Sequence, residues 1–335
     1  MTRLKSIWLA AMCLAEFLCV QPVEAQRCDG AELKVGPDET RCVKPGAGEA
    51  FKDCPDCPEM VVVPAGSFTM GASASEEVAT EREDQVLVSL ASPFAVGRFA
   101  VTKGEFAAFV AATAHNTDGP CYDLSTLETK GRTDRDWRSA GFLQNDRHPV
   151  VCVNWNDAKA YVGWLVASTG KSYRLLTETE REYVTRAGST TAFWWGATIS
   201  TDQANYNGNV TYAGGPKGER RKMTVPVDSF APNHWGLYNV HGNVWDWTED
   251  CWNATKRRKP RRRNAQAYGG LQPSRSAWRV LEQLSAHASL RTARERTGQC
   301  SRQSYRLPRC ENIAVNASPA AQRCFLRASN ADGRS

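Results

Sequence analysis

From residue 191 to 252 the chain shows little regular hydrophobic periodicity, and this constrains the fold more than any other feature. The stretches "TAFWWGATISTDQANYNGNVTYAGG" and "TVPVDSFAPNHWGLYNVHGNVWDWTEDCW" are dense in Asn, Gly, Trp and Tyr. They follow neither the alternation of a strand nor the repeat of a helix. A compact domain with so much loop must tie its backbone down through side-chain hydrogen bonds or bound ions. Asn, Asp and backbone carbonyls are the hard oxygen donors that Ca²⁺ takes. Asn205 beside Asn207 and Asn209, and Asn243 near Asp246, are the candidates. Asx turns without metal meet the same need, and side-chain chemistry leaves both readings open.

Upstream of that region the patterning is clearer. "EMVVVPAGSFTMGA" predicts a strand over Met60–Val63, a turn at 64–66 and a second short strand over 68–70. Val86, Val88 and Leu90 alternate, and Phe94, Val96 and Phe99 continue the apolar pattern. Three helices follow. Thr102 and Glu105 have the spacing of a capping box ahead of Phe106, Phe109 and Val110. A short strand at 150–153 leads to a helix starting near residues 155–157, with Ala160, Tyr161, Trp164 and Leu165 on one face and Gly170 as its stop. Thr177 and Glu180 repeat the capping spacing, with Tyr183 and Val184 pointing inward until Gly188. The Arg and Glu side chains of that last helix read as ion-paired surface.

The N-terminal stretch "MTRLKSIWLAAMCLAEFLCVQPVEAQ" has a basic start, an apolar run and small side chains at Val23 and Ala25. It reads as a signal peptide over 1–25, too short to cross a bilayer comfortably, so export to the periplasm or medium is expected. Residues 26–57 then form a polar, Cys-containing leader. Ten cysteines remain after the signal, and in an oxidising compartment the early ones are expected to pair. Cys28 with Cys42 is plausible by proximity. "CPDC" at 54–57 has redox-pair spacing, but no βαβ pattern surrounds it, which favours a structural bridge or free thiols.

Several spaced motifs carry a resemblance. "MVVVPAGSFTMG", "FAVTKGEFAAFV", "HPVVCVNWNDAKAYVGWL", "YRLLTETEREYVTRAG", "FWWG", "ANYNGN" and "VPVDSFAPNHWGLYNVHGNVWDWTEDCW", in that order, closely resemble the formylglycine-generating enzyme (sulfatase-modifying factor) family across 58–253. The resemblance implies one mixed α/β (α+β) domain with little regular secondary structure, the formylglycine-generating-enzyme fold, related to the C-type lectin-like fold. It also implies structural Ca²⁺: Asn205 and the carbonyl of Tyr206 match one site, and the stretch Asn243, Val244, Trp245 another. Two departures are visible. The family usually has Trp where Arg181 stands and often Glu where Asp246 stands, so lost core aromatic area and, through the shorter reach of Asp246, a weakened contact are expected. Catalytic members oxidise a substrate cysteine to formylglycine with O₂ and copper, held by two nearby cysteines that suit Cu(I). Those cysteines follow an "RGGSW"-like strand in the family's last quarter. Here no "RGGSW" and no closing "GFRVA" occurs, and Cys300, Cys310 and Cys324 lie in Arg-rich sequence without a motif. Copper ligands and catalytic residues are therefore not identified.

Charge changes at the same place. From Lys256 onward there are 18 Lys/Arg against 4 Asp/Glu, a net of +14, whereas the first 255 residues carry 24 against 32, a net of −8. The domain is accordingly assigned to 58–255 and a basic, atypical tail to 256–335. Residues 270–286 admit codons that, read one nucleotide later, spell D-C-S-R-R-V-L-R-G-G-S-W-S-N-Y-P. "YRLPRC" at 305–310 admits codons that give I-G-F-R-V-A in the same frame. The tail thus reads as a shifted frame, and apolar faces within 60–253 are expected to lack their closing partners.

Two functions follow: a sulfatase-modifying-factor-like exported protein related to cysteine oxidation, or a non-catalytic ligand- or protein-binding module on a lectin-like scaffold. Its partner is an unknown protein or small molecule. "KRRKPRRR" has the charge to meet nucleic acid but lacks interleaved aromatics and a recognition helix, which argues against that partner. No HExxH set and no GxSxG elbow occurs. His148 and His241 read as structural, His241 through a hydrogen bond. Glu249 and Asp250 could line a pocket or simply face solvent.

Overall fold

The computed structural model describes residues 28–35, 39–73, 85–122 and 131–250. Residues 1–25, where a signal peptide is expected, and the basic tail 256–335 lie outside the described residues. The strands are short and all their pairings antiparallel. β1 (Ala31–Val35) and β2 (Glu39–Val43) form a hairpin. β3 (Ala50–Phe51), β4 (Met60–Val63) and β7 (Phe94–Gly97) form a three-stranded sheet in the order β3-β4-β7. β5 (Gly66–Met70) pairs with β6 (Val86–Leu90), and β8 (Cys121–Tyr122) with β9 (Gly131–Arg132). Three helices complete the set: α1 (Lys103–Thr113), α2 (Trp155–Thr169) and α3 (Glu178–Arg186). This is a mixed α/β fold with little regular structure.

Each helix begins with a reciprocal capping box. The N–H of Glu105 donates to Thr102 Oγ1 at 3.1 Å while Thr102 N–H donates to Glu105 Oε2 at 2.8 Å. Thr177 and Glu180 repeat this at 3.2 and 2.9 Å. The third box, Asn154 with Asp157, escaped the sequence reading because Asn and Asp replace the usual Thr and Glu. Gly170 caps α2 in the left-handed region, and Ala187 caps α3 one residue before the expected stop at Gly188. α1 and α2 bury Phe106 and Phe109 against Tyr161, Leu165 and Trp137. Burying each such side chain contributes about 1.5–3 kcal/mol. α3 packs Tyr183 and Val184 onto Val61, Val63 and Val96 of the sheet and onto Leu237 and Val240 of the late loop.

Three expectations are corrected. The predicted strand at 150–153 does not form. Pro149 bridges Thr102 and Val150 N–H reaches Val101 O at 2.9 Å, but Cys152 then turns left-handed (φ 58°) and Asn154 is already capping α2. The charged face of α3 is ion-paired yet not surface: Glu182 and Arg181 are 1% and 7% exposed. The leader, finally, is more than a polar lead-in. Val43 and Phe51 pack with Met60 and Val62 in one apolar cluster, and β3 extends the sheet. A Cβ on Gly236 (φ +80°) would lie 2.7 Å from Gly48 Cα, so glycine is required where the leader crosses the late loop.

All six described cysteines are paired. Cys28–Cys42 closes as proximity suggested, Cys54–Cys57 closes the "CPDC" turn, and Cys121–Cys152 joins β8 to the segment before α2.

Candidate functional site

The loop running from Leu237 to Thr248 is the organising element of the site. Its backbone is held by side chains, as so much irregular chain requires. Asn239 Nδ2 donates to Val227 O at 2.7 Å, and Asn233 Nδ2 to Val184 O at 2.7 Å. Trp247 Nε1 donates to Val153 O at 3.1 Å and Trp155 Nε1 to Thr248 O at 3.0 Å, pinning the loop to the start of α2. Glu249 and Asp250 are each taken up by protein partners. Glu249 pairs with Lys159 at 2.8 Å, and Asp250 accepts from the Glu178 N–H at the head of α3.

The two stretches singled out for calcium come together. Asn243 N–H donates to Asn205 O at 2.9 Å, and Asn205 Nδ2 donates to Asn243 Oδ1 at 3.1 Å and to Met223 O at 2.8 Å. Asn243 sits at φ 64° and pairs with Val225 like a strand neighbour, Nδ2 to Val225 O at 2.9 Å and Oδ1 from Val225 N–H at 2.9 Å. A Cβ on Gly242 (φ +79°) would lie 2.5 Å from Asn205 O, which explains the glycine of "HGN". The donor sets fit an ion unequally. Asn243 Oδ1 already accepts two hydrogen bonds, so its side chain does not suit a ligand role. Asn205 turns its Nδ2 to the protein, leaving Oδ1 and the adjoining Tyr206 carbonyl as a compatible oxygen pair. Val244 faces a cleft, and Trp245 is 45% exposed on its rim. Asn209 N–H donates to Asn207 Oδ1 at 3.3 Å, an Asx turn without need of metal.

That cleft has a volume of about 280 Å³ and takes its walls from β7, α2, α3 and the late loop. Val96, Val101, Val150 and Leu165 make it apolar. Arg181 and Asp246 are its charged pair. Arg181 Nη2 and Nε reach Asp246 Oδ2 at 2.6 and 2.7 Å, Nη2 also donates to Val240 O at 3.0 Å, and Nη1 donates to Thr185. On the neighbouring turn, Glu182 accepts from Gly71 N–H at 2.8 Å and from Arg186 Nε at 2.9 Å. Asp246, where a weakened contact is expected, makes a direct ion pair with Arg181.

Two histidines lie in this region. His148 bonds Thr224 Oγ1 at 2.9 Å, a structural role as expected. His241 does not make its expected hydrogen bond. Neither ring nitrogen has a protein partner, and the ring packs edge-on against Phe193 and Trp195 at 5.1 Å from each. Burial, with Arg181 and Arg186 nearby, pushes its pKa down to about 3, so the ring is neutral at ordinary pH.

The six described cysteines are all in disulfides and supply no thiolate pair for copper. The remaining cysteines after the signal, Cys251, Cys300, Cys310 and Cys324, lie outside the described residues.

A mixed α/β domain of short strands, three box-capped helices and an Asn-pinned late loop is the class defined by these features. The Sulfatase-modifying factor enzyme 1-like domain matches residues 46–314, and the chain belongs to that family. The chain is 35% identical to a formylglycine-generating enzyme of Thermomonospora curvata, with 58% of this chain and 72% of the relative covered. It is 29% identical to an inactive C-alpha-formylglycine-generating enzyme 2 of Bos taurus, covering 58% and 71%. The solved structure of PvdO from Pseudomonas aeruginosa superimposes with a TM-score of 0.52 at 40% identity, covering 62% of this chain and 77% of that one. Among the described residues, no helix is long and apolar enough to cross a membrane.

Proposed function

We propose that this chain acts as an exported binding member of the sulfatase-modifying-factor family, holding an apolar ligand or peptide side chain in the 280 Å³ cleft without oxidising it. The observation carrying this reading is an apolar cleft whose Arg181–Asp246 ion pair is neutralised internally. A relative described as inactive, 29% identical, is compatible with this reading. Ca²⁺ at Asn205 and Tyr206 would serve a structural role, holding the irregular chain at 205–206.

The test uses the full chain and the apolar anion 1-anilinonaphthalene-8-sulfonate as probe, alongside a thermal melt. Saturable binding by a cooperatively melting chain, lost in Ala158→Phe, which fills the cleft from α2, is the expected result. Absence of binding, or binding unchanged by that substitution, overturns the reading.

A further inference from the structure

The Cys54–Cys57 bridge differs in kind from the other two. It closes a four-residue turn in which Cys57 N–H donates to Cys54 O at 3.1 Å, whereas the others join residues 14 and 31 apart. Constraint of the unfolded chain grows with loop length, so this bridge contributes least to stability by that route. Its two residues are unequally placed. Cys57 is 0% exposed and Cys54 is half-buried, so an incoming thiolate meets Cys54 first.

The surroundings suit a leaving thiolate on Cys57. A cleft of about 160 Å³ lies beside it, walled by Lys52, Asp56 and the first turn of α1 at Gly104 and Glu105. The N-terminal end of α1 and the Lys52 ammonium both favour negative charge. Of the carboxylates nearby, Glu105 Oε2 is engaged by Thr102 N–H and Oγ1, and Asp53 is held by Lys171 and Tyr173. Asp56 and Glu105, whose Thr102 partners are neutral, remain as the opposing charges, with Lys52 set against them.

We propose that Cys54–Cys57 is an exchange-active disulfide that accepts two electrons from an external dithiol, on a protein or a small molecule. The donor's thiolate attacks Cys54 Sγ, the Cys54–Cys57 bond breaks, and Cys57 leaves as a thiolate that takes up a proton. The donor's second thiol loses its proton and attacks the donor sulfur of the mixed disulfide, releasing Cys54 as a thiolate that is protonated in turn. The donor dithiol ends as a disulfide, and Cys54 and Cys57 end as thiols. This site is separate from the binding cleft and does not depend on the function proposed for it.

The experiment equilibrates the full chain in graded dithiothreitol, quenches with iodoacetamide and reads each cysteine by peptide mass mapping. Cys54 and Cys57 are expected to label at a dithiothreitol concentration about tenfold or more below that which opens the other two bridges. In Cys57→Ser exposed to oxidised glutathione, the mixed disulfide collects on Cys54. Bridges that open together, or Cys54–Cys57 opening last, overturn the proposal. If Cys57→Ser does not fold, the labelling order in the unsubstituted chain decides alone.

Discussion

Arg181 and Asp246, 65 positions apart in the chain, bond each other at 2.6 Å. Arg181 is 7% exposed, and its guanidinium also holds the Val240 carbonyl. A buried cation without its partner is costly, and so is a carboxylate that loses its cation. Asp246→Ala is therefore expected to destabilise the chain by about 2–4 kcal/mol. The double change Arg181→Met with Asp246→Leu should recover most of that loss, because neither charge of the pair then remains. Denaturant titration of the three chains checks this. A double variant as damaged as the single one would show that the pair is incidental.

Acid should loosen the same region through His241. Its folded pKa is depressed to about 3, while the unfolded imidazole titrates at its ordinary value of about 6.5. Above that ordinary value both states are neutral and stability is complete. As the pH falls toward 3 the unfolded chain binds a proton the folded chain refuses, and stability drops by about 1.4 kcal/mol per pH unit. His148, also depressed by burial and then by Lys103, acts in the same sense. Melting curves between neutral pH and pH 4 should show the decline, and His241→Leu should flatten it relative to the parent.

Calcium is expected to act through Asn205 and Tyr206. At a hundredfold excess over its dissociation constant, a bound ion adds about 2.7 kcal/mol. Differential scanning fluorimetry with CaCl₂ against EDTA should show a rise in Tm that Asn205→Ala abolishes. Asn243→Ala should lower the Tm under both conditions while keeping the calcium-dependent rise, since its amide is engaged by Asn205 and Val225.

The reading-frame account of 256–335 has its own check. The nucleotide sequence over codons 270–310 should, one base later, encode both the "LRGGSW" and the "GFRVA" motifs. A plus-one frame lacking them removes the account.

Local signals made the helices legible. Thr102 with Glu105 and Thr177 with Glu180 announce helix starts within four residues of chain, and Gly170 announces a stop. The strand at 60–63 was legible as a run of four apolar residues, buried on both faces, and that at 86–90 through the alternation of Val86, Val88 and Leu90. The residues that assemble the site were not, since Arg181 and Asp246 lie 65 positions apart and Asn205 and Asn243 lie 38 apart. No periodic pattern links such pairs; only the buried backbone they must satisfy does. The same holds for Cys121–Cys152, where a left-handed residue ends an apolar run that otherwise reads as a strand. Arg181 and Glu182 gave one usable hint. They sit between Thr179 and Tyr183 on a helix too short to keep all its charges in solvent.

The most direct test of the binding role incubates the full chain, copper-loaded and in air, with a Cys-containing peptide, and follows the peptide by mass spectrometry. The account predicts intact peptide and no O₂ uptake above the metal-only control. Conversion of cysteine to formylglycine at substoichiometric chain, with matching O₂ consumption, would contradict it.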